Sequence, residues 1–573
     1  MLTRHRIRLS FLSVLVAAAL AACGGGGGGG NGIAPLIPTG ADNPPPPDPP
    51  PPPAPPSPPA PPPIAKCGWD TGVELAYEER RLTTPLPFSG ANVVGTDETP
   101  LSERIVKDTG FDQFAPAFSA KLCGSDGMTT ITNYDEALTF VKSEGATLWR
   151  AAVDRVQGRR ASPTGSKLPT SDDRMLYWTR VQMTKVLRQW APEFALNDGQ
   201  RQSLQWEFER SSRGQYDINL PEGNAPGAGK YRRMILSGFD TFTLGVPGTP
   251  NTGLRNGNPS GATALEMDGR EFTLDDGTVL HVESYILPVS YDPFHAGMQE
   301  DTLGPWFKPG PRRADASITM SQGTANVFNL EQWNGRFHGP TAGNDGIVYC
   351  LVDNALPGYV LPLGTITNPN TAPISMAGSG CDINPPKRWL GYDAISTWTK
   401  DYPPQFTTAS LPMAAMVTGK TGAGIPRPPG ATSQGTEGFD VTWHTNYSYF
   451  PDCSATATQS VESNGVMNLM PDASLVVAPN PATCARNGGG GSYLSNESAY
   501  RNTLLRDTFA LDIPAGHIHV PVMTNFFNGT PAAGGGVRDD NAMTDARFEA
   551  YRTAIVAQSK KLLVVIGNSL IYK

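Results

Sequence analysis

A chain of 573 residues with 45 Lys and Arg against 53 Asp and Glu carries a formal charge of -8, and no stretch gathers its basic residues into a stripe. That balance argues against nucleic acid as a partner, because phosphate binding needs a concentrated positive surface. Beyond the first 22 residues no apolar run approaches the roughly 20 residues of a membrane-spanning helix, and Leu562–Ile566 reads as a short buried segment.

At the N-terminus, Arg4, Arg6 and Arg8 precede an apolar run, Leu9 to Ala22, that ends in Leu20-Ala21-Ala22-Cys23. A basic start, a short apolar core and small residues before the break predict a secretory signal over 1–23. A cysteine directly after the small residues is the lipid-acceptor pattern of bacterial lipoproteins, so Cys23 is the expected lipidation site and acyl chains the membrane anchor. Gly24 follows the cysteine where an inner-membrane retention signal would have Asp, which points to the outer membrane. Residues 24–66 are almost wholly Gly and Pro. They predict a disordered tether whose proline tract, Pro44–Pro63, extends at about 3.1 Å per residue to roughly 60 Å.

The body follows. Residues 67–230 read as mixed and partly helical, with apolar residues at helical spacing over Tyr134–Val156 and Asp173–Trp190. Their tryptophans read as core anchors, and the region offers no chemistry of its own. Short apolar runs at Met234-Ile235-Leu236, Ser284–Val289, Ala316–Met320 and Ile518–Val522 predict buried strands, and Asp545–Val564 a last helix. Strands alternating with helices predict an α/β fold for 231–573, a three-layer α/β/α sandwich. Two Gly/Pro/Asn-rich stretches, near 340–435 and 455–490, read as insertions without a core of their own. Six cysteines remain in the body, Cys67, Cys123, Cys350, Cys381, Cys453 and Cys484. An even number in an exported chain predicts three disulfides. Fifteen pairings exist, and pairing of sequence neighbours (67–123, 350–381, 453–484) is the expectation.

The chemistry lies in a series of short motifs. In order they are Ser237–Phe242 (SGFDTF), Asn258–Ser260 (NPS), Leu287–Val289 (LPV), Met320–Glu331 (MSQGTANVFNLE), Gly488–Arg501 (GGGGSYLSNESAYR) and Ala515–Pro521 (AGHIHVP). Together and in this order they resemble the pyroglutamyl-peptidase I family over roughly 230–573. Carried over residue by residue, the resemblance implies His519 as general base, Glu331 as its supporting carboxylate, and Ser495 where the family has its nucleophilic cysteine. The separation from Ser495 to His519, 24 residues, is that of the family. The resemblance further implies that Phe239 and Phe242 hold a flat lactam ring, and that Gln322 contributes a hydrogen bond. Gly490 and Gly491, small residues just before the nucleophile, are the expected oxyanion donors. A serine needs a base to take its proton as it attacks, and a Ser–His–Glu set supplies one.

Departures from the family are Thr243-Leu244 in place of Gly-Gly, a shortened Glu-bearing segment whose nearest arginine is Arg336, and His517 in place of an aromatic residue. His517 and His519 fall on one strand face, which invites a metal, but no third ligand stands at a recognisable spacing, and neither metal nor cofactor is expected. The implied activity is removal of pyroglutamate or a similar N-terminal group from peptides by an envelope-tethered hydrolase. The alternative is a non-catalytic lipoprotein that binds peptides or envelope polymers in the same cleft.

Overall fold

The computed structural model describes residues 67–86, 99–223, 231–339 apart from 251, 341–347, 388–389, 392–393, 402–432, 435–461 apart from 453, 454 and 456, 476–523 and 542–570. The signal, the tether and Cys23, Cys350, Cys381 and Cys453 lie outside them. Among the described residues no helix is long and apolar enough to cross a membrane.

Seven strands form the central sheet: β1 (Tyr231–Phe239), β2 (Arg270–Thr273), β3 (Val279–Leu287), β4 (Ala316–Gln322), β5 (Val327–Glu331), β6 (Asp440–His444) and β7 (Ala515–Val520). Their order is β6-β5-β7-β4-β1-β3-β2. The middle four run parallel. β2 closes one edge antiparallel, and β5 with β6 forms a mutually parallel pair antiparallel to β7 at the other.

Alternation along the strands separates two faces. Met234, Leu236, Ile318, Met320, Phe328, Leu330, Ile518 and Val520 share one core with the last helix, α6 (Ala546–Ser569), which contributes Phe548, Tyr551, Ile555 and Leu562. Each such side chain stabilises by about 1.5–3 kcal/mol. The intervening residues face α5 (Leu494–Thr508) on the opposite side, and there the sheet is largely polar. Ser317, Thr319, Ser321, Glu331, His517 and His519 are all buried. Two layers of helix on a sheet give the α/β/α architecture.

α1 (Tyr134–Val156), α2 (Arg174–Gln189) and α3 (Asp198–Ser211) carry their own apolar cluster, which includes Trp149, Trp178 and Trp190. This cluster continues into Ala264 and Leu265 of α4 (Pro259–Met267) and Ile286 of β3. Polar contacts join the same surfaces. The Gln157 amide donates to the carbonyls of Leu265, Glu266 and Asp268 at the end of α4, and Asp240, just past β1, is ion-paired with Arg180 and Arg213. Cys67 and Cys123 are disulfide-bonded.

Part of the stretch read as an insertion, 340–435, packs against the central sheet domain. Phe406–Thr408 pairs with Trp333–Gly335, and Leu411, Met413, Met416 and Ile425 lie in the α6-side core. Met413 and Met416 lie on the short helix Met413–Thr418, which the surrounding Pro and Gly hide. The stretch 455–490 likewise ends in a strand, Cys484–Asn487, paired with Tyr447–Phe450.

Candidate active site

Three local structures converge on the polar face of the sheet. The first is the entry to α5. Its N-cap, Tyr493, makes no side-chain cap, and the first helical N–H to find a carbonyl is that of Glu497, donating to Tyr493 at 3.2 Å. Among the described residues the backbone N–H groups of Ser495 and Asn496 therefore have no partner, at the positive end of the helix dipole. The Asn496 side chain pins this end. Its Oδ1 accepts from Gly335 N–H at 2.8 Å, and its Nδ2 donates to the Gly335 and Phe337 carbonyls at 2.7 and 2.8 Å.

The second is the end of β5. The fully buried carboxylate of Glu331 lies between two imidazoles, Oε1 at 2.7 Å from His519 Nδ1 and Oε2 at 2.6 Å from His444 Nδ1. Burial alone would raise this carboxyl. The charge and hydrogen bond of His444, with those of His519, outweigh it and hold Glu331 far below the usual carboxylate range. His444 reaches it because β6 pairs with β5 in the register His444↔Glu331. Sequence reasoning missed this residue. Its only signal was the alternation of Val441, Trp443 and the polar residues between them.

The third is the neighbouring pair of strands, β4 and β7. Ser495 Oγ lies 2.9 Å from Ser321 Oγ, Ser321 Oγ 2.8 Å from His517 Nε2, and His517 Nδ1 2.8 Å from Thr319 Oγ1. The His517 and His519 rings are 4.7 Å apart, nearly perpendicular. Burial first, and the neighbouring His519 second, push His517 well below the usual histidine range, so it is a neutral imidazole. Among the described residues no hydrogen bond joins Ser495 to His519.

Ser495, Ser321 and Gln322 line a cavity with Phe239, Phe242, Asn258, Val289, Tyr493 and Leu494. Its volume is about 30 Å³, room for about one water. A lactam ring enters only if a wall moves, and Phe242, tilted against Tyr493 at 5.3 Å between ring centroids, is only half-buried. Phe239 is fixed: its N–H donates to Ser260 Oγ at 3.0 Å, and that hydroxyl donates to Asn258 Oδ1 at 2.8 Å. Asn258 in turn caps α4, with Pro259 at the first helical position.

The structure thus brings Ser495, Ser321, Phe239, Phe242 and Gln322 to one cavity and sets Glu331 with His519 beside it. Two expected residues are reassigned. The Gly491 N–H donates to the Gly488 carbonyl at 3.0 Å inside a tight turn, which removes it as an oxyanion donor. Gly490 instead serves as a space. A Cβ there would sit 3.2 Å from Asn496 N and 3.4 Å from His519 Cε1. The open N–H groups of Ser495 and Asn496 are the better donors. Arg336 is buried elsewhere, donating to the Pro403 carbonyl at 2.7 Å. Thr243, where the resembling family has glycine, keeps a left-handed backbone at φ +62°.

Residues 233–524 match the family described as the C-terminal domain of PA0049, and residues 58–209 the family described as the PA0049 N-terminal domain. The chain is 68% identical over 508 residues to the uncharacterised protein PA0049 of Pseudomonas aeruginosa, covering 89% of this chain and 92% of that one. Structural neighbours are pyroglutamyl peptidases. A mutant pyrrolidone carboxyl peptidase of Pyrococcus furiosus is 13% identical, with 59% of this chain and 100% of that chain covered at a TM-score of 0.29. The enzyme of Thermococcus litoralis is 14% identical, with 60% and 99% covered at a TM-score of 0.29.

Proposed function

This chain belongs to the PA0049 family, and from the geometry of its site we propose that it is a serine hydrolase. Ser495 attacks, His519 takes and returns the proton, Glu331 fixes and charges the imidazole, and the open N–H groups of Ser495 and Asn496 receive the oxyanion. The observation that carries this reading is the buried Glu331–His519 pair at 2.7 Å beside an uncapped helix start that bears a serine. The uncharged, aromatic-walled cavity suits a small neutral group, so the proposed substrate is a peptide with an N-terminal pyroglutamyl or similar small N-acyl group. Lipid on Cys23 would hold the enzyme at the outer membrane, with residues 24–66 as the tether.

The unjoined Ser495 and His519 favour a second reading, a binding protein that retains the cleft without turnover. Hydrogen bonds of this kind often tighten only with substrate present, so the test is chemical. The purified chain from Cys67 onward is treated with a serine-directed fluorophosphonate and, separately, with a pyroglutamyl anilide. Label on Ser495 and slow hydrolysis are expected, both lost in Ser495→Ala and His519→Ala. Ser495→Cys should hydrolyse at least as well as wild type, because a thiol is the stronger nucleophile. Wild type and Ser495→Cys both inert, while peptide still binds, would hand the argument to the binding protein.

A further inference from the structure

We infer that Ser321 and His517 are positioning residues for Ser495, forming with Thr319 a hydrogen-bond wire of fixed direction that aims the serine at the cavity. This rests on the reading of Ser495 as nucleophile. The direction follows from counting hydrogens along the chain. Ser321 has one hydroxyl hydrogen, directed at Ser495 Oγ at 2.9 Å, so its oxygen accepts from His517 Nε2–H at 2.8 Å. A neutral imidazole protonated at Nε2 leaves Nδ1 as an acceptor. Thr319 therefore donates its hydroxyl hydrogen to Nδ1 at 2.8 Å, closer than the Gly516 carbonyl at 3.3 Å. Ser495 is left with one lone pair held by Ser321, and with its own proton and its other lone pair outside the wire.

These residues do more than fill space. Thr319, Ser321 and His517 stand at same-face positions of adjacent strands, in the register His517↔Thr319, and all are buried. Apolar side chains there would need no partners, whereas a buried hydroxyl or imidazole left unpaired costs about 1–3 kcal/mol. The wire is closed only through Ser495. On attack the Ser495 proton passes to the free nitrogen of His519. Oγ then forms its bond to the substrate carbonyl carbon, and the carbonyl electron pair moves to the oxygen facing the Ser495 and Asn496 N–H groups. Ser321 and His517 keep their protons throughout. Their work is to hold the Ser495 side chain in the orientation from which this transfer starts.

Two measurements on the chain from Cys67 onward test the inference. Nitrogen NMR of histidine-labelled protein, with His517 assigned by its loss in His517→Phe, should show Nε2 protonated and Nδ1 unprotonated. The Nε2 signal should shift in Ser321→Ala. Fluorophosphonate labelling of Ser495 should slow about tenfold in Ser321→Ala and in His517→Phe, the scale of one lost hydrogen bond. The double variant should be no slower than either single one, because the two act through one wire. Ser321→Thr, which keeps the hydroxyl, should recover most of the rate. In a Ser495→Cys background, iodoacetamide alkylation should be insensitive to both changes, since a thiolate needs no such aim. Effects that multiply in the double variant, or an Nδ1-protonated His517 in a protein that labels normally, would overturn the wire alone. Absent labelling with the expected tautomer would sink the nucleophile reading and the wire's purpose with it.

Discussion

Gly489→Ala tests the site through one methyl group. Gly489 N–H donates to the Trp333 carbonyl at 2.7 Å, which fixes its backbone against β5's continuation. A Cβ there would lie 2.1 Å from Glu331 Oε2, 3.2 Å from its Cδ and 3.4 Å from its Cβ. The contacted atoms belong to a short, fully buried side chain held at both oxygens, so the carboxylate must withdraw and the His444 bond goes first. Losing one charge-assisted bond costs about 1.5–3 kcal/mol, and overpacking a filled site about 1–3 kcal/mol more. The expected loss is therefore roughly 3–5 kcal/mol at pH 7, read by urea unfolding. Gly491→Ala is the control. Its φ is +79° but nothing lies within 4 Å, so it should lose only the 1–2 kcal/mol of a left-handed alanine. Linkage gives a second check. Glu331 has its carboxyl depressed in the folded state, so its contribution is present above its ordinary value of 4.5 and is lost as pH falls toward the folded value. The deficit of Gly489→Ala should then narrow below about pH 4.5. A deficit no larger than that of the control, or one independent of pH, would mean that the carboxylate is not seated between the two histidines.

Three further outcomes are expected. Thr243→Gly should stabilise by roughly 0.5–1 kcal/mol in urea unfolding, because it relieves a left-handed β-branched residue; a loss instead would mean that the bond from Asn256 to its hydroxyl outweighs the strain. Burial pushes the Asp345 carboxyl up to about 7 from 3.8, against its bonds from Ser290 and Ile347. A raised carboxyl contributes fully below its unfolded value and loses that contribution as pH rises through the folded one. Asp345→Asn should therefore gain in melting temperature over wild type between pH 4 and pH 7, and a constant difference would refute the burial argument. Replacing both Cys67 and Cys123 by Ser opens a link that spans 56 residues. The loss should be about 4 kcal/mol by chain entropy, and intact stability after the change would show the region to be held by its apolar cluster alone.

Where hydrophobic period and length agreed, the elements were readable from sequence. Tyr134–Val156 is a helix to the residue, and the strand expected around Met234-Ile235-Leu236 is the middle of β1. The polar face of the sheet was harder to see. Ser317, Thr319 and Ser321 alternate with Ile318 and Met320 just as solvent-facing residues would, and nothing local reveals that α5 covers them. His444 lay further out of reach. It meets Glu331 across 113 residues of chain, by a parallel pairing that leaves no hairpin signal. His517 could be read as sharing a face with His519, but its partners, Thr319 and Ser321, lie on another strand. Gly491 misled because glycine permits both an open loop and a closed turn, and only the backbone bond to Gly488 decides which.

The pairing of Asp240 with Arg180 and Arg213 bears on how such a chain can be divided over generations. The acid sits at the end of β1, two residues before Phe242, and both of its cationic partners come from the helical region before Tyr231. A gene fragment encoding only 231–573 would inherit the carboxylate without its guanidinium groups, together with the α4 carbonyls that Gln157 caps. Recombination between these halves would therefore leave a buried carboxylate without its partners one residue beyond Phe239 of the cavity wall.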